Sequence, residues 1–205
     1  NMKFSRIAAV TSIALLFTVA GLAWAGSSLV MSGQNASDFV LRGVSGSERS
    51  LSDFDGKYIV LEWVNLECST VDQYYASKKI PRLQQAMRDQ GVIWLSICSS
   101  SPGARGDYEK YDLMYRLAEL KSNATDYLCD RSGRVAKKFG VTVTPTIVLL
   151  SPQRSVLYSG EISNCFTLGN DKNQESNLLA RIIECDQSGK PFEIVDANPK
   201  GCPIQ

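Results

Sequence analysis

Three stretches of the chain, 58–64, 92–97 and 146–150, are apolar without alternation, and such runs suit strands buried on both faces of a sheet. Shorter strands are expected at 39–42, on an edge, and at 127–129, while 156–160 completes a hairpin around a turn at Arg154. Between these the apolar period lengthens. Residues 70–90 read as a helix interrupted at Pro81, where a kink or break is expected, and stopped by Gly91. Residues 108–120 place apolar side chains at 111, 113, 114, 117 and 120, the spacing of an amphipathic helix. A short helix at 132–139 is closed by Gly140, and a last one at 177–185 carries Leu178, Leu179, Ile182 and Ile183 on one face. Helices alternating with buried strands, then a hairpin and a final helix, predict an α/β sandwich built on a central mixed β-sheet.

The two ends have a different texture. Lys3 and Arg6 precede an apolar run from Ile7 to Leu22, and Ala23-Trp24-Ala25 presents small residues at both recognition positions of a signal peptidase. Residues 1–25 are therefore expected to be a cleaved signal peptide, initiated at Met2 with Asn1 ahead of it. The alternative is an uncleaved anchor, because 7–25 approaches the length of a bilayer span. The small polar residues 26–37 read as a linker, 38–188 as one domain of ordinary size, and 189–205 as a tail punctuated by Pro and Gly. Cleavage implies a periplasmic or secreted protein.

Composition narrows the chemistry more than the fold. The 22 basic and 21 acidic residues leave a net charge of +1. That supplies no field to draw a nucleic acid or an anionic membrane, so neither is expected as a partner after signal cleavage. Histidine is absent, which removes Ser-His-Asp and Cys-His catalysis, His-ligated metals and His general bases together. Six cysteines, all after residue 25, would meet an oxidising compartment in which they can pair, and sequence alone does not rank the pairings.

Cys68 stands where the 58–64 strand hands over to the following helix. The unpaired amides of a helix's first turn, together with its dipole, favour thiolate over thiol there, so a nucleophile is made without histidine. Ser69 and Thr70 either donate hydrogen bonds to that sulfur or serve as ordinary first residues of the helix. The second irregularity is Val143-Thr144-Pro145-Thr146 at the head of a strand. Proline is poorly tolerated inside a central strand, so Pro145 marks a special backbone geometry, with a cis bond expected.

These two elements look like the active-site pair of the thioredoxin superfamily, and the details resemble its peroxiredoxin-like redoxins of the AhpC/TSA type. The resemblance rests on W-x-N-x-x-C at 63–68, the run 92–103, Cys129-Asp-Arg-Ser-Gly-Arg-Val135, Phe139-Gly-Val-Thr-Val-Thr-Pro145, Tyr158-Ser-Gly160 and Gly201-Cys-Pro-Ile204. It implies a thioredoxin-like three-layer sandwich, a cis Thr144–Pro145 bond facing Cys68, and a substrate held in extended form by the backbone of Thr144. It implies no metal, flavin or nucleotide cofactor. Two positions depart from the family pattern. The C-x-x-C of thioredoxins becomes Cys68-Ser69-Thr70-Val71, so the neighbouring thiol is missing, and the P-x-x-x-T-x-x-C of peroxiredoxins finds Leu61 and Asn65 at its first two fixed positions.

A mixed disulfide or sulfenic acid on Cys68 then needs a resolving partner from elsewhere. Cys202 is the first candidate, because Gly201-Cys202-Pro203-Ile204 matches the redoxin pattern and a tail without regular structure has the reach. A fixed structural disulfide is its other reading. Cys98 and Cys129, near strand ends on the side where α/β sites form, are candidates to pair with each other or with Cys68. Cys165 and Cys185, beside the final helix, are expected to be structural. The expected function is thiol-disulfide exchange or peroxide reduction, acting on protein thiols and disulfides or on a peroxide, with a reductase to restore the dithiol. The alternative is a silent binding or envelope-assembly domain with all six cysteines in disulfides.

Overall fold

The computed structural model describes residues 33–166, 177–192 and 199–204, so the expected signal peptide at 1–25 lies outside the described residues. Among the described residues no helix is long and apolar enough to cross a membrane.

In chain order the strands are β1 (Val40–Gly43), β2 (Glu48–Ser50), β3 (Ile59–Trp63), β4 (Ile93–Cys98), β5 (Asp126–Cys129), β6 (Val143–Thr144), β7 (Thr146–Leu150), β8 (Val156–Glu161) and β9 (Cys202–Pro203). The helices are α1 (Ser69–Ala76), α2 (Lys79–Asp89), α3 (Lys110–Glu119), α4 (Arg134–Lys138) and α5 (Leu178–Gln187). Seven strands form one sheet in the order β2-β1-β5-β4-β3-β7-β8, and β6 and β9 form a small second one. The pairs β3–β4 and β4–β5 are parallel and the others antiparallel.

Side-chain alternation along β3 divides the core. Ile59, Leu61 and Trp63 join a cluster with Phe39, Val148 and the α4 residues Val135 and Ala136. Val60 and Val64 join the cluster on the other face with Val71 and Tyr75 of α1, Leu83 and Met87 of α2, Leu113 of α3 and Ile182 of α5. Helices thus cover both faces of a sheet whose central strands are almost wholly buried, the α/β sandwich with a mixed sheet that the pattern predicts and, in its three layers, the one the resemblance implies.

Several local expectations are corrected. The 70–90 helix breaks at Ser77 and Lys78 rather than at Pro81: Lys78 has φ +61°, and Pro81 falls in the first turn of α2, where a missing N–H leaves no bond unmade. Strand β1 is not the edge, because the polar Glu48–Ser50, which carries no apolar signal, pairs outside it. Of the apolar residues of α3, Leu113 is buried, whereas Tyr111 is 79% and Met114 47% exposed. Within the expected linker, Gly33 donates to Val156 and Ala36 to Arg154 through their backbones, each at 2.8 Å. The tail is not without regular structure where it can be described, since β9 pairs with β6.

Candidate active site

The chain reaches Cys68 through a turn fixed by Asn65. Its Oδ1 accepts the Glu67 amide at 2.9 Å, its carbonyl accepts the Cys68 amide at 2.9 Å, and its Nδ2 donates to the Arg105 carbonyl at 2.9 Å. Gly106, at φ +89°, lies so close to the Asn65 side chain that a Cβ there would overlap it. Arg105 also contacts the Glu67 carboxylate at 3.3 Å. The 99–106 loop is thereby tied to the Cys68 turn. Cys68 is the N-cap of α1, in extended conformation, with its carbonyl accepting the Asp72 amide at 2.9 Å. Ser69 and Thr70 are the first two residues of that helix, the one exposed and the other half-buried.

The sulfur of Cys68 is bonded to that of Cys202, with 5.8 Å between the Cα atoms. Cys68 is buried, and its Sγ lies 3.6 Å from the carbonyl oxygen of Thr144. The Thr144–Pro145 bond is cis. The tail reaches this place by strand pairing: Thr144 stands opposite Cys202 and Val143 opposite Pro203, and the Ile204 amide donates to the Thr142 carbonyl at 2.9 Å. Gly201 is obligatory in this arrangement, because a Cβ on it would overlap the Thr144 carbonyl and press on Pro145. The Thr144 hydroxyl oxygen is buried and makes no hydrogen bond among the described residues. Cys68, Cys202 and the adjacent Thr144 and Pro145 are thus brought together from three places in the sequence.

The other four cysteines are thiols. One disulfide and four thiols do not accommodate the alternative of three structural disulfides. Cys98 and Cys129 stand opposite each other in register on β4 and β5, unbonded, and the Cys98 thiol donates to the Gly106 carbonyl at 3.5 Å. Burial pushes the Cys129 thiol up, with the Cys98 sulfur adding to the shift. Cys165 and Cys185, expected to be structural, form no bridge. Cys165 is packed in the core as a small apolar residue, its thiol pushed up by burial and secondarily by the Glu62 carboxylate. Trp63 belongs to the cluster on the opposite face from Cys68 and does not cover it.

Sequence reasoning missed Glu62, hidden inside the apolar run of β3 on the Cys68 side of the sheet. It is fully buried, and its Oε2 accepts hydrogen bonds from Ser96 Oγ (2.7 Å), Trp94 Nε1 (2.8 Å) and Gln84 Nε2 (3.1 Å), while Oε1 has no partner among the described residues. Burial pushes its carboxyl above the ordinary carboxylate range, against the opposing pull of those three donors. An acid raised in the folded state contributes stability that is complete below its unfolded pKa and is lost as pH rises through the folded one. Wild type is therefore expected to lose about 1 kcal/mol per pH unit within that window, a slope that Glu62→Gln should remove. Chemical denaturation as a function of pH checks this, and identical slopes for the two proteins would refute it.

Solved structures with the same chain path are available for comparison. The chain superposes on an uncharacterized conserved protein from Geobacillus kaustophilus with a TM-score of 0.72 at 20% identity, covering 86% of this chain and 92% of that one. A hypothetical protein from Sinorhizobium meliloti gives 0.68 at 22% identity, with 85% and 94% covered. A putative thiol:disulfide interchange protein DsbE from Chlorobium tepidum gives 0.55 at 21% identity, with 76% and 97% covered. At these identities the likeness is one of fold, and that fold is thioredoxin-like. No curated protein matches the chain. The sequence profile of the AhpC/TSA family, however, matches residues 32–159, which contain Cys68, the 99–106 loop and the cis-proline turn and make up more than half of the chain. With the site geometry and the sandwich both in the expected arrangement, the chain belongs to the AhpC/TSA family.

Proposed function

We propose that this chain is an exported thiol-disulfide oxidoreductase in which Cys68 is the nucleophile, Cys202 resolves the intermediate, and Thr144 and Pro145 position the substrate. The observation that supports this best is the Cys68–Cys202 disulfide, set at the N-cap of α1 against the cis Thr144–Pro145 turn. In the reduced chain the Cys68 thiolate attacks one sulfur of a substrate disulfide and expels the other as thiolate. Cys202 then attacks the Cys68 sulfur, closes the 68–202 disulfide and releases the second substrate thiol. Two electrons pass to the substrate, and an external dithiol restores the chain. Export rests on the residue pattern of 1–25.

Family membership favours a second reading, reduction of a hydroperoxide. There the Cys68 thiolate takes the terminal oxygen to give a sulfenic acid and an alcohol, and Cys202 condenses with it, releasing water. Both readings are tested by mixing the reduced chain with a protein disulfide or a hydroperoxide and following the appearance of the 68–202 disulfide. The disulfide substrate is expected to react faster, and Cys202→Ser to accumulate a covalent adduct through Cys68. Faster closure with the hydroperoxide would select the second reading. Absence of both adduct and closure would remove Cys68 from the chemistry.

A further inference from the structure

Strand β9 occupies the backbone edge beside the site sulfur, and what it presents there describes the ligand which that edge accepts. Three features are fixed. The residue before the cysteine carries no side chain, because the Thr144 carbonyl stands where a Cβ would be. The cysteine itself is in register with Thr144, which delivers its sulfur to Cys68. Two residues after the cysteine's predecessor comes Pro203, with no amide to donate, and then Ile204, whose amide bonds the Thr142 carbonyl and whose side chain packs against the core beneath α4. Ile204 also forms one wall of a cavity of about 260 Å³ lined by Ala136, Lys137, Gly140, Val141 and Thr142, so the groove continues past the Ile204 side chain.

We infer that the edge 142–144, where the superfamily resemblance already puts an extended substrate, selects a polypeptide whose reactive cysteine follows a small residue and is followed, two residues later, by an aliphatic one, and that the chain's own tail is the tethered competitor for it. The inference rests on the proposed nucleophilic role of Cys68. A two-residue ladder with one further amide bond has room for one strand only, so a substrate strand and the tail exclude each other. The tail has the advantage of a high effective concentration because it is covalently attached. While the 68–202 disulfide is closed the groove is filled. Reduction frees the tail to leave, and its return both displaces the bound substrate strand and brings Cys202 to the Cys68 sulfur. Resolution and release are then one event.

The test uses the full chain as Cys202→Ser and as Gly201→Val/Cys202→Ser, the second being unable to dock its tail. The probes are the peptides Lys-Gly-Cys-Pro-Ile-Gln, Lys-Val-Cys-Pro-Ile-Gln and Lys-Gly-Cys-Pro-Asp-Gln, each activated as an aryl disulfide, with the symmetric aryl disulfide as the groove-independent reagent. Release of the aryl thiolate measures capture by Cys68. The Gly-Cys-Pro-Ile peptide is expected to react at least about tenfold faster than either altered peptide. It should also react severalfold faster with the double variant than with Cys202→Ser. Equal rates for the three peptides, with the symmetric reagent still labelling Cys68, overturn the groove and leave the nucleophile standing. Equal rates for the two variants overturn the tail as competitor. Failure of the symmetric reagent to label Cys68 overturns this inference and the proposed function together.

Discussion

Replacing Cys68 by serine is expected to abolish turnover of disulfide substrates, to at least about a thousandfold below wild type. A serine hydroxyl at the same N-cap has no thiolate to offer and, in a chain without histidine, no imidazole to activate it. The confounding effect is stability, because the variant also loses a disulfide between residues 134 apart in sequence. The entropy of so long a loop sets an upper figure of about 5 kcal/mol, with about 2–4 kcal/mol typical. Cys202→Ser loses the same loop closure but keeps the nucleophile. The two variants should therefore unfold at similar denaturant concentrations, while Cys202→Ser alone still forms an adduct with the first substrate. A Cys68→Ser protein that turns over within tenfold of wild type would move the chemistry to another cysteine, and Cys98 and Cys129 are the next to examine.

Phe139→Ala should cost about 3–5 kcal/mol of unfolding free energy, and Phe139→Leu no more than about half of that. The Phe139 ring is 1% exposed, with its centroid 5.2 Å from Trp63 and 6.1 Å edge-on from Phe39, so truncation opens a cavity among aromatic neighbours that cannot close around it. These rings fill the face of the sheet away from Cys68. At denaturant concentrations where the variant is still folded, the rate of 68–202 closure should match wild type. The measurement pairs a urea midpoint with that rate. A loss under 1 kcal/mol would mean that the site relaxes freely, and a slowed closure would mean that the two faces of the sheet are coupled.

The elements legible in sequence were those with a one-dimensional signature. The continuous apolar runs of β3, β4 and β7 announce strands buried on both faces, and the strand-cysteine-helix and Thr-Pro pieces announce a site. What stayed hidden depends on long-range partners. Strand β2 is Glu-Arg-Ser, and nothing in that tripeptide tells of the hydrogen bonds it makes to β1. Tyr111 and Met114 fit a buried helical stripe, yet α3 turns them outward and buries Leu113. Glu62 was masked by its apolar neighbours, although a carboxylate inside such a run is itself a signal that hydrogen-bond donors must converge on it. Gly201 was readable as part of a motif, but its reason lies in the Thr144 carbonyl, far away in sequence. The break before α2 carries no glycine or proline to mark it, because Lys78 itself takes the left-handed backbone that ends one helix and opens the next.

The short ladder between β6 and β9 also sets where a change of chain length can be tolerated. An insertion or deletion ahead of Gly201 changes the length of chain that closes onto β6, and closure entropy varies only logarithmically with that length. From Gly201 to Ile204 the same change shifts the strand by one position, turns the Cys202 side chain to the opposite side and sets a side chain against the Thr144 carbonyl. Relatives of this chain should therefore differ freely in tail length while keeping those four positions in phase.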